Sequence, residues 1–206
     1  VASPLLRRAA TALASLLLLG GIVAAHAMRP AFEDATAPIG HRGSAHEPVD
    51  ARRFTIEVEK VEFAHAVSDG DALGAGPRLT ADPGNRAIWV VVWATMTATD
   101  ASLTVPDPVL LETGSGYSYA ASDRLSNALN AFGTRLDPGI PRHGAFAFEV
   151  PRERLTDPTL TVSAREGLDD RLSASAEVGL GLDADRIERL VDAAADSLAI
   201  EPVTYR

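Results

Sequence analysis

From residue 54 onward, apolar side chains recur at every second position, the spacing that gathers them on one face of a β-strand. Phe54, Ile56 and Val58 alternate with Thr55 and Glu57, and after Lys60 the run resumes one residue out of step with Val61 and Phe63. That slip predicts a bulge or a short break near Lys60. The strongest strand covers residues 87–99, with Ile88, Val90, Val92, Ala94 and Met96 on one face and Trp89, Val91, Trp93, Thr95 and Thr97 on the other. Apolar residues on both faces predict a central strand with cover on each side, at least over its first half, and tryptophans used for packing. Further strands are predicted at 103–111, 116–120, 145–150, 159–164 and 173–182. Short strands at such intervals, seven or eight within about 130 residues, predict an antiparallel sandwich.

Different patterns flank this region. Residues 183–206 change to a helical spacing: Asp183 or Asp185 can cap a helix with Ile187, Leu190, Val191, Ala194 and Leu198 on one stripe. A shorter helical turn or two is expected after Ser122-Asp123, through Leu125, Ala128 and Leu129. Residues 29–53 follow neither period and are interrupted by Pro30, Pro38, Gly40, Gly43 and Pro48, so they predict an exposed linker.

Residues 9–28 carry no charge, contain Leu16 to Leu19, and follow Arg7 and Arg8. As a helix, about twenty residues reach roughly 30 Å, the thickness of a bilayer's hydrocarbon core. The arginines stay on the cytoplasmic side, so everything after Met28 is expected outside the membrane. The same residues also satisfy a secretory signal, because a basic start and an apolar run lead to the small-x-small sequence Ala25-His26-Ala27. Single-pass membrane anchoring is the expected location, and cleavage with free secretion is the alternative.

The chain has no cysteine. This removes a lipoprotein anchor, disulfide stapling, thiolate metal sites and thiol catalysis, so the exported domain must be held by its core. Charge is divided unevenly: residues 1–53 carry six arginines against four acids, while residues 54–206 carry 13 basic against 24 acidic residues. The exported part is therefore acidic, which disfavours nucleic acid and anionic headgroups as partners.

Candidate chemistry is sparse. Gly116-Tyr117-Ser118-Tyr119-Ala120 imitates a nucleophile elbow, but no buried parallel strand turning into a helix is predicted there. Ser118 and His143 are the residues an unrecognised hydrolase would need. His41, His46 and Glu47 fit no common ligand spacing. Counting a calcium loop from Asp69 puts glycine at Gly74 but threonine, Thr80, where the bidentate acid belongs. Gly74-Ala75-Gly76-Pro77 lacks the Gly-Lys-Ser/Thr ending of a phosphate loop. No catalytic residue, metal or cofactor is assigned. Tyr117 and Tyr119, aromatic residues beside a glycine-rich turn, are the expected partner contact.

Ala87-Ile88-Trp89-Val90-Val91-Val92-Trp93, the Pro138-Gly139 turn and Gly144-Ala145-Phe146-Ala147-Phe148-Glu149-Val150-Pro151 resemble the telokin-like, immunoglobulin-fold extracellular domains of bacterial membrane proteins and secreted antigens. The resemblance covers about residues 54–182. It implies an all-β, immunoglobulin-like antiparallel β-sandwich that serves as an adhesion or accessory module and offers no catalytic residues to carry over. The expected organisation is a transmembrane or signal helix at 1–28, a linker at 29–53, the sandwich at 54–182 and a short C-terminal helix and tail at 183–206. The expected function is a non-enzymatic, membrane-anchored binding or accessory module of a cell-envelope complex, with a membrane-protein partner.

Overall fold

The computed structural model describes residues 4–27, 38–70, 78–105, 108–163 and 173–206. It divides into two compact units, 1–37 and 38–206. In the first, helix α1 (Pro4–Ala27) is formed, with side chains described for residues 13–24 and His26. Among the described residues no helix is long and apolar enough to cross a membrane. The expected span at 9–28 extends beyond the described side chains at both ends.

The second unit contains, in chain order, strands β1 (Ile39–Ser44), β2 (Val49–Asp50), β3 (Phe54–Ala64), β4 (Ala66–Asp69), β5 (Arg78–Thr80), β6 (Ala87–Ala98), β7 (Leu103–Thr104), β8 (Leu110–Glu112) and β9 (Ser118–Ala120). They are followed by β10 (Arg135–Leu136), β11 (Arg142–Pro151), β12 (Thr159–Ser163), β13 (Ala174–Gly179), helix α2 (Ala184–Asp192), β14 (Leu198–Ile200) and β15 (Thr204–Tyr205). Two five-stranded sheets form a β-sandwich, one ordered β15-β11-β6-β3-β2 and the other β1-β13-β12-β8-β9. Strand pairs β3–β6, β8–β9 and β12–β13 each stay within one sheet, and the chain passes between the two five-stranded sheets after β1, β6, β9, β11 and β13.

The two faces of β6 explain the layering. Ile88, Val90, Val92, Ala94 and Met96 join Phe54, Ile56, Phe146 and Phe148 of the same sheet against Leu111, Leu160, Val162, Ala176 and Val178 of the other. Trp89, Val91 and Trp93 point the opposite way and are buried under Val67, Ala81, Leu125, Ala128 and Ile200. That second cover comes from a three-stranded sheet, β14-β4-β5, and from the turns at 123–133. The expectation of a central strand covered on both sides is therefore met, with the tryptophans as packing residues.

Several expectations are corrected. Residues 39–50, expected as linker, hold two strands: β1 pairs in parallel with β13, and β2 pairs with β3. An edge strand needs only one hydrogen-bonded neighbour and little apolar patterning, so no period marks it. With β14 also parallel to β4, the sheets are not purely antiparallel. The segment after Ser122 makes successive turns instead of a helix, although Leu125, Ala128 and Leu129 are buried as their spacing implies. The run 103–111 divides into β7, paired with β10, and β8, paired with β9 and β12.

Helix α2 starts where the sequence pattern places it. Asp183 is its N-cap, its Oδ1 accepting from Arg186 N at 2.7 Å, and Ile187 is buried. The helix ends at Asp192, short of the expected stripe, because Ala195 bridges to Ala64 and Leu198 enters β14. Asp183→Ala is expected to cost about 1 kcal/mol by removing this cap. Urea unfolding measures it, and no change in midpoint would contradict the assignment.

Candidate functional site

The slip near Lys60 is a β-bulge. Val58 faces Ala94 and Lys60 faces Trp93 in the β3–β6 ladder, which leaves Glu59 as the extra residue. Two consecutive side chains, Glu59 and Lys60, are thereby aimed at the outer face of the sheet, where Trp93 and Thr95 project. Strict alternation after Val58 already places Glu59 on this face; the extra residue is what adds Lys60 beside it.

Glu59 is the hub. Its Oε1 accepts from Thr95 Oγ1 at 2.6 Å and from Arg206 Nη1 at 2.7 Å, and lies 3.1 Å from His143 Nδ1. Arg206 Nη2 reaches the other oxygen at 3.1 Å, completing a two-pronged guanidinium–carboxylate contact. The His143 ring stacks on Trp93 with centroids 5.8 Å apart and planes 15° from parallel. Trp93 Nε1 donates to Glu62 Oε2 at 2.6 Å, and Lys60 pairs with the same oxygen at 2.9 Å while lying over the indole. Partial burial pushes the Glu59 carboxyl up, but the Thr95 hydroxyl, His143 and Arg206 together outweigh it and hold the group below the ordinary carboxylate range.

Gly144 lies beside this cluster and opposite Ala94 in the ladder. A Cβ there would meet Val203 Cγ2 at 3.2 Å and Leu129 Cδ1 at 3.3 Å, so the bare glycine lets the C-terminal segment run close to the sheet. That segment then pairs Thr204 with His143 and Tyr205 with Arg142.

The arrangement is a set of paired charges on one face of the sheet. The Thr95 hydroxyl donates a hydrogen bond to Glu59, and His143 presents one nitrogen, Nδ1, to both neighbours; those contacts are attractive together when Nδ1 carries the proton. Among the described residues no three His, Asp or Glu side chains converge to hold a metal ion.

The residues singled out in the sequence are dispersed. Ser118 lines a hollow with Trp89, Arg124 and Glu149, whereas His143 sits six positions before Glu149 along β11, roughly 20 Å at strand rise. Tyr117 is 45% exposed, with the Arg154 guanidinium 3.8 Å over its ring, while Tyr119 is partly buried against the main core. His41 lies in β1, and His46 in the following turn with φ 69°. Asp69, discounted as a calcium ligand, instead caps the turn at 126–127, and Gly74 lies outside the described residues. Glu59, Thr95 and Arg206 were not singled out from sequence; the slip at Lys60 marks the bulge at Glu59 but carries no trace of Thr95 or Arg206.

No family model matches the chain, and no curated protein matches it. Among solved structures it is similar to an uncharacterised β-sandwich protein from Clostridium difficile 630, with 14% identity and a TM-score of 0.44 over 68% of this chain and 95% of that one. A conserved hypothetical protein from Bacillus anthracis gives 11% identity and a TM-score of 0.43 over 63% of this chain and 94% of that one.

Proposed function

We propose that the chain is a non-enzymatic binding or accessory module of the cell envelope, an immunoglobulin-like sandwich held outside the cytoplasmic membrane by residues 9–28. The observation that carries the binding reading is the Glu59 cluster, a set of fixed charges and stacked aromatic rings on one sheet face whose hydroxyl is already committed as a donor. The immunoglobulin-like reading is supported by the connectivity: β3, β6 and β11 adjoin in one sheet, and β9, β8, β12 and β13 follow in the other, as in Greek-key sandwiches. The anchor reading rests on the uncharged run after Arg7 and Arg8.

Isolation of the tagged protein from gently solubilised membranes, with mass spectrometry of what copurifies, tests this. A stoichiometric membrane protein is the expected result. A shortened protein in the medium, with an intact mass beginning at Met28, would instead favour the secreted alternative. Loss of an envelope activity on replacing Ser118 alone, with the fold intact, would favour a hydrolase.

Tyr117 and Tyr119 are proposed as part of the contact, with unequal structural roles. Tyr117→Ala is expected to cost less than about 1 kcal/mol of stability while weakening partner recovery, because its ring is exposed beneath the Arg154 guanidinium. Tyr119→Ala is expected to cost about 1 to 2 kcal/mol, since its ring packs on the core. Equal losses in urea unfolding would contradict this division of roles.

A further inference from the structure

We propose that Glu59, Trp93 and His143 form a receptor for a guanidinium group, and that the chain's own Arg206 occupies it as a displaceable stand-in for an arginine side chain of a protein partner. The inference rests on the binding-module reading and gives that partner a chemistry.

The receptor side is rigid. Glu59 is held in the bulge between ladder pairs, and its carboxylate is oriented by Thr95 and His143 before Arg206 is counted. Both His143 and Glu59 are largely covered, with side chains 18% and 25% exposed. The ring of His143 is fixed by its stack on Trp93, itself buried.

The occupant is loosely held. The Arg206 side chain is 53% exposed and Tyr205 is 63% exposed. Strand β15 has two residues, both exposed, and is attached at the sheet edge through β11. It is tied further by Arg206 N to Pro141 O at 3.1 Å and by the Arg142–Tyr205 contact, a hydrogen bond of 2.6 Å with the guanidinium 4.1 Å over the ring, while Val203 just before it packs on the core. Contacts of this exposed kind cost little to exchange for an equivalent pair. A short tether nevertheless keeps the local arginine at high effective concentration, so the site is masked against free ligand until the tail lifts.

The geometry favours a guanidinium over an ammonium. Two nitrogens of one planar group meet two oxygens of Glu59, a fork that lysine cannot reproduce. The ammonium nearest in sequence, Lys60, turns to Glu62 instead.

The test uses the full chain with Arg206→Ala, titrated with arginine amide and, separately, lysine amide, while NMR follows the Trp93 indole N–H. Unmasking predicts binding of arginine amide about tenfold tighter than to the unaltered chain, weaker binding of lysine amide, and loss of arginine binding when Glu59→Gln is added. Glu59→Asp serves as a second variant should the glutamine form lose native dispersion; its shorter side chain breaks the fork and predicts the same loss. An Arg206→Ala protein with native dispersion that ignores arginine amide, or takes lysine amide equally well, overturns the proposal. A membrane partner still copurifying in that case would leave the binding-module reading standing, so the two failures are distinguishable.

Discussion

Trp89→Ala is expected to destabilise the sandwich by about 3 to 5 kcal/mol, which lowers the thermal midpoint by roughly 10 °C in a domain of this size. Trp89 is 1% exposed and is the largest fully buried side chain of the molecule's described residues. It fills the space between β6 and the outer cover made by Val67, Leu125, Ala128 and Ile200. Truncation removes that apolar burial and leaves a cavity under elements too short to collapse into it. Its indole N–H has no acceptor among the described residues, so no hydrogen bond is lost with it. Trp89→Phe should accordingly cost less than half as much. Urea unfolding of both variants supplies the comparison; an alanine variant within about 1 kcal/mol of the parent would show that the outer cover is not a real second core.

Asp69→Ala is expected to cost about 2 to 3 kcal/mol and to blunt the loss of stability at acid pH. Asp69 Oδ2 accepts from Ser126 N at 3.0 Å and Ser126 Oγ at 2.8 Å, and Oδ1 accepts from Asn127 N at 2.9 Å. Asn127 in turn donates to the carbonyls of Gly70 and Ile200, so one carboxylate joins the end of β4, the 123–133 turns and the end of β14. Partial burial pushes the Asp69 carboxyl up, but the bonds from Asn127 and Ser126 outweigh it and hold the group below its ordinary value. A depressed folded-state pKa means that the stabilisation is present above the unfolded value, about 4, and is lost as pH falls through the folded one. Glu59 acts in the same direction and window. Stability should therefore decline below about pH 4, and the Asp69→Ala curve should be flatter there than the parent's. Parallel pH curves for the two proteins would refute the role given to this carboxylate.

The strands at 54–64 and 87–98 were legible because each buries nearly all of one face, and burial forces a period of two onto the residues. The slip at Lys60 was legible for the same reason, since it broke that period. The site built on the slip was not. Glu59, Thr95, His143 and Arg206 are separated by up to 147 positions, and polar residues on an outer face leave no periodic trace. Ser118 and His143 looked like partners only while their separation along the fold was unknown.

The sequence by itself determined an all-β sandwich with one central strand covered on both faces, a capped C-terminal helix and a bulge in the first long strand, because these follow from local periodicity and capping chemistry. Tertiary structure alone decided that β1 joins β13 and β14 joins β4 in parallel, that the turns after Ser122 form a lid over Trp89, and that Arg206 returns to Glu59. Those features depend on which edges and charges meet after folding, and pairing between distant segments is set by closing the sheet, a constraint that no local window of residues contains.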